Sequence, residues 1–139
     1  RSVYAPAEGV RKGAYVLADL GKGKPQAILM ASGSEVGLIV QAGQKLAEQG
    51  VNVRLVSFPS WELFAEQDAA YRDSVLLPEV ELRLAVEAGI SQGWHRWIGP
   101  KGRLQTLDRY GASAPAGTIF KNLGFSVENI ESIVLNMLS

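Results

Sequence analysis

Three short stretches of the 139-residue chain hold residue types that could do chemistry. Ala31-Ser32-Gly33-Ser34-Glu35 runs from an apolar segment through small residues toward a helical pattern. Free backbone N–H groups and the helix dipole converge at such turns, so Ser32, Gly33 and Ser34 form a candidate anion-binding turn. Neither P-loop spacing nor G-x-G-x-x-G is present, and Glu35 in the first turn would interact with the dipole itself and repel a phosphate. A capped tight turn is therefore the competing interpretation.

His95, the only histidine, lies in Gly93-Trp94-His95-Arg96-Trp97 and is a candidate acid, base or ligand. A Ser91, His95 and Asp108 trio is available by composition, but no nucleophile-elbow pattern supports it. Trp and Arg are enriched at interfaces, so Trp94, His95, Arg96 and Trp97 are better read as buried packing or an interdomain contact. The third stretch, Asp108-Arg109-Tyr110-Gly111-Ala112-Ser113-Ala114-Pro115, is a dense loop where α/β folds place binding residues. Asp108, Arg109 and Ser113 join the candidate interdomain contacts, against a local Asp–Arg pair with capping. Trp61, Phe64 and Tyr71 surround a short helix and are expected to cover one end of a sheet.

The elements that must position these residues follow from periodicity. Tyr15 to Ala18 can form a short strand, and Gly21 to Pro25 is a polar turn. Ala27 to Ala31 is a continuous apolar run and reads as a buried strand. Val36, Ile39, Val40, Gly43, Leu46 and Ala47 share one helical face, with Ser34 as the expected N-cap and Gly50 at the C′ position. The strand from Val51 to Val56 completes a βαβ unit, which implies parallel strands with a helix packed on the sheet. Ser60 is expected to cap a short helix, residues 69–75 a further one, and Leu82, Leu84 and Val86 alternate as in a strand. Leu104 to Leu107 suggest another strand. A helix is expected between Ser113 and Gly124, and Ser126 should cap a last one with the stripe Val127, Ile130, Ile133, Val134, Met137 and Leu138.

Composition narrows the function classes. Fourteen basic residues balance 14 acidic ones, so the long-range attraction of a nucleic-acid or polybasic membrane binder is missing. Without cysteine there are no disulfides, thiolate nucleophiles or cysteine-based metal sites, and a reducing, cytoplasmic setting fits. The chain starts at Arg1 and its methionines are Met30 and Met137, so it is expected to be cut from a longer polypeptide or processed at its start.

Several blocks in register carry a family resemblance. Ile28 to Val36, Val53 to Phe64, Gln67 to Leu76, Arg83 to Gly89, Gly93 to Arg96, Asp108 to Pro115 and Phe120 to Asn129 together resemble the C-terminal domain of the transketolase family. The resemblance spans roughly residues 14–138, leaving 1–13 as a linker from a preceding domain. It implies a three-layer α/β/α domain with a mixed, mainly parallel sheet of about five strands, the first antiparallel. It also implies a parent homodimer in the pentose phosphate pathway or Calvin cycle, moving a two-carbon ketol unit from a ketose phosphate to an aldose phosphate. That parent would use thiamine diphosphate and a divalent metal, Mg or Ca, held by two preceding domains. The resemblance assigns no catalytic, cofactor or metal residue to this chain, so a structural, interdomain or regulatory role is expected. A phosphate- or nucleotide-binding module is the alternative.

Overall fold

A computed structural model describes residues 12–87, 94–106 and 126–139. Five strands, β1 (Tyr15–Leu20), β2 (Ala27–Ala31), β3 (Val53–Ser57), β4 (Arg83–Glu87) and β5 (Arg103–Thr106), form one sheet in the order β1-β3-β2-β4-β5. β1 runs antiparallel to β3, with a bulge between Val16 and Ala18; the remaining pairings are parallel. Leu29 at the centre lies beside Leu55 on one side and Leu84 on the other.

Period-two alternation sorts the sheet into two faces. Leu29, Val53, Leu55, Leu84 and Val86 pack with one group of buried residues, and Ile28, Met30, Val56 and Ala85 with the other. β4 is interior to the sheet, so Ala85 is buried along with its neighbours Leu84 and Val86.

The first face is covered by α1 (Val36–Glu48) and α5 (Val127–Leu138), through Ile39, Ala42 and Leu46 and through Ile130 and Val134. These are the stripes that the spacing predicts. Gly43 lets α1 come close to the sheet: a Cβ there would stand 2.9 Å from Leu55 Cδ2 and 3.1 Å from Leu20 Cδ1. The Ser126 hydroxyl accepts from Asn129 N–H at 3.1 Å, the expected cap. Gly50 takes φ +86° just past the α1 C-cap Gln49, which is the expected helix stop.

The opposite face carries α2 (Trp61–Ala65), α3 (Ala69–Val75) and α4 (His95–Ile98), giving three layers. Ser60 caps α2 by accepting from Leu63 N–H at 3.2 Å, as expected, and Asp68 caps α3 by accepting from Tyr71 N–H at 2.9 Å. The expected helix between Ser113 and Gly124 lies outside the described residues.

Candidate functional site

In parallel α/β sheets, ligands gather outside the carboxyl ends of the strands. Here β2, β3 and β4 end at a cleft of about 440 Å³ lined by Ser32, Phe58, Pro59, Ser60, Trp61, Glu62 and Glu87. Ser32 stands just beyond β2, Phe58 to Glu62 just beyond β3, and Glu87 at the end of β4. The Ser32 hydroxyl donates to Glu87 Oε1 at 2.6 Å, tying the ends of two neighbouring strands. Among the described residues the charged groups lining the cleft are both carboxylates, Glu62 and Glu87.

That chemistry bears on the small-residue turn. Gly33 takes φ +60° and opens a 3-10 turn over Gly33–Glu35, so α1 begins only at Val36. The capping position passes to the buried Glu35, and Ser34, the expected N-cap, lies within the 3-10 turn instead. Ser32 is bonded to Glu87 and Glu35 stands at the helix start, so two carboxylates flank the candidate anion-binding turn. The turn connects a strand to a helix and ties it to β4.

Trp94 and Trp97 are buried in the chain's own core. Trp94 meets Phe58 and Trp61 edge to face, with ring centroids 5.2 and 5.5 Å apart, and Trp97 meets Phe64 at 5.0 Å. Among the described residues the Trp94 indole N–H finds no hydrogen-bond partner. Arg96 is exposed, its guanidinium 4.5 Å from the Trp97 ring centroid. His95 opens α4, and its side chain lies outside the described part, as do Ser91, Asp108, Arg109 and Ser113. The structure thus brings Trp94 and Trp97 together with Trp61 and Phe64, and leaves Arg96 as the described group that this segment offers outward.

Two groups on this face were not singled out by the sequence patterns. Arg83 donates to the carbonyls of Val80 at 3.1 Å, Trp97 at 2.9 Å, Leu76 at 3.4 Å and Leu77 at 3.1 Å. It pins the loop before β4 to α4. Burial lowers its pKa, partly opposed by the charges of Asp73 and Glu81. Glu87 is the second, and its link to Ser32 spans 55 residues of sequence, beyond the reach of any local motif.

A three-layer arrangement with a mixed sheet, an antiparallel edge strand and a cleft at the strand ends defines an open α/β domain. The family model for the transketolase-like TK C-terminal domain matches residues 13–126, and the chain belongs to that family. It is 50% identical over 123 residues to a transketolase of Geobacillus stearothermophilus, covering 88% of this chain and 18% of that protein. A chloroplastic transketolase of Zea mays is 47% identical over 124 residues, with the same coverage of each chain. Among solved structures, transketolase from Leishmania mexicana superposes with a TM-score of 0.84 at 37% identity, covering 96% of this chain and 19% of that one. The chain therefore spans less than a fifth of each of these three relatives. The family, the layers and the mixed sheet are those that the sequence blocks imply.

Proposed function

We propose that this chain is the accessory third domain of a transketolase polypeptide. The observation that carries this reading is the family match over residues 13–126 combined with a span of 18% of a curated relative. The parent would transfer a two-carbon ketol unit from a ketose phosphate to an aldose phosphate, with the two preceding domains and a homodimer mate as partners. Residues 1–13 would then be the linker and 14–139 the domain. The parent would serve the pentose phosphate pathway or the Calvin cycle. A cysteine-free chain suits a reducing cytoplasm, and among the described residues no helix is long and apolar enough to cross a membrane. Neutral net charge favours protein partners over nucleic acid.

Thiamine diphosphate and its Mg or Ca do not fit the residues described here. Among them no group of three or more His, Cys, Asp or Glu side chains assembles to hold a metal. The strand-end cleft presents Glu62 and Glu87, which repel a diphosphate. In this reading the ketol transfer itself takes place on the preceding domains. The work of this domain is to fold as a two-faced sheet and present a docking surface, with the Asp108–Ser113 loop as the contact and Trp94 and Trp97 holding α4 in the core.

The test is a coupled ketol-transfer assay on the 139-residue chain with added thiamine diphosphate and magnesium, beside the same assay on the full-length parent. No turnover by the chain alone is expected; turnover would overturn the reading. In the parent, Arg109→Ala should lower thermal stability or dimerisation. Unchanged melting, dimerisation and activity would remove the docking role.

A further inference from the structure

On the aromatic face, helices α2, α3 and α4 leave a pocket of about 230 Å³ away from the strand-end cleft. Its wall is apolar, from Phe64, Leu76, Pro78 and Trp97, and its charged groups among the described residues are Arg72, Arg83, Arg96 and Asp73. Three cations against one carboxylate leave a surplus of positive charge, unlike the acidic cleft at the strand ends.

The three arginines are held differently. Arg83 is immobilised by four backbone carbonyls, which are neutral and so fix its guanidinium without neutralising it. Nearby Glu81 is shared with Lys101, 3.1 Å away. Arg96 is steadied against Trp97, with its guanidinium 4.5 Å from the ring centroid. Arg72, in the last turn of α3, is half-buried, and its guanidinium makes no hydrogen bond or ion pair among the described residues. Half-burial of a long cation without a partner costs both solvation and side-chain freedom, and a bound anion would offset both.

We propose that this pocket binds a phosphate group, carried by a small phosphomonoester or free as inorganic phosphate. Arg72 and Arg96 donate to its oxygens, and Arg83 supplies a fixed positive field from the pocket wall. Guanidinium forks match the oxygen spacing of phosphate, and two surplus charges suit a dianion better than a single carboxylate. Asp73 opposes binding and limits its strength. The apolar wall leaves room for a short organic stem.

The experiment follows the Trp97 indole N–H and arginine Nε–H resonances of the 139-residue chain during titration with sodium phosphate, with sodium chloride at matched ionic strength as the reference. Saturable shifts at Trp97 and Arg72 that chloride does not produce are expected. The double variant R72Q/R96Q should weaken binding by about tenfold or more, the loss of at least one charge-assisted bond. D73N should tighten it by about threefold, which no general loss of structure would mimic. Tighter binding of glycerol 3-phosphate identifies the phosphomonoester, and equal binding identifies the free ion. Shifts no larger than those from chloride, an unaltered affinity in R72Q/R96Q, or tighter binding of succinate than of phosphate would each overturn the proposal.

Discussion

On one face of the sheet two helices of 13 and 12 residues lay down aliphatic stripes; on the other, helices of five, seven and four residues carry aromatic rings. The buried side chains of the first face are Ala, Val, Ile and Leu, whereas Phe58, Phe64, Trp94 and Trp97 dominate the second. Helix length accounts for the difference. Three or more turns present a continuous stripe that small aliphatics can fill, but one- and two-turn helices leave irregular gaps. Rings that each bury roughly 150–250 Å² close such gaps, and edge-to-face contacts fix how the short helices sit. Phe58 is the hub: it meets Phe64 at 5.0 Å, Trp94 at 5.2 Å and Trp97 at 5.5 Å.

Truncation should therefore act differently on the two faces. Trp94→Ala is expected to cost about 3–5 kcal/mol, the usual range for an aromatic removed from a core, and to collapse the near-ultraviolet circular dichroism. Urea denaturation checks the first expectation. Leu46→Ala, wholly buried beneath α1, should cost about 2–5 kcal/mol while leaving the aromatic signal in place below the transition. If both variants lose that signal in native buffer, the faces do not pack independently.

A gentler substitution sharpens the contrast. Gly43→Ala puts a methyl group 2.9 Å from Leu55 Cδ2, so α1 or Leu55 must shift. Overpacking of this kind costs about 1–3 kcal/mol, and a chemical melt showing no loss would mean that the aliphatic face yields freely. On the aromatic side Asp68→Ala removes the cap of α3 and should cost about 1 kcal/mol, with Asp68→Asn retaining most of it.

The same asymmetry decides how much could be read from the amino-acid sequence. α1 and α5 were legible because Ile39, Leu46, Ile130 and Val134 recur at helical spacing, and β2 because its five residues are uninterruptedly apolar. Ser60 and Ser126 announced their caps by residue type and position. Ser34 misleads, because Gly33 at positive φ inserts a 3-10 turn and moves the α1 start to Val36. Arg83 looked like one polar member of an alternating strand; its four carbonyl partners come from the preceding loop and from α4. The bond from Ser32 to Glu87 joins strands that only the sheet order makes neighbours. Candidate-site residues were thus named where they stand next to strand ends, and missed where the fold brings distant segments together.

An effect similar in size to that of Asp68→Ala concerns Tyr71, which bridges the aromatic face to the start of β1. Its hydroxyl donates to the Ala14 carbonyl at 2.8 Å while its ring lies 6.1 Å from that of Phe64. Tyr71→Phe keeps the ring and removes one neutral hydrogen bond, an expected loss of about 0.5–1.5 kcal/mol at pH 7. Burial raises the phenol pKa above its ordinary value near 10, so the folded state favours the protonated hydroxyl. That contribution is complete below pH 10 and is lost as the pH rises through the folded pKa. The stability gap between wild type and Tyr71→Phe should accordingly stay constant from pH 7 to about 9 and narrow above 10. Arg83, whose lowered pKa acts in the opposite direction, is common to both proteins and cancels in the difference. A gap that is absent at pH 7 would show that water replaces the Ala14 bond without loss, and that the aromatic face is joined to β1 by ring packing alone.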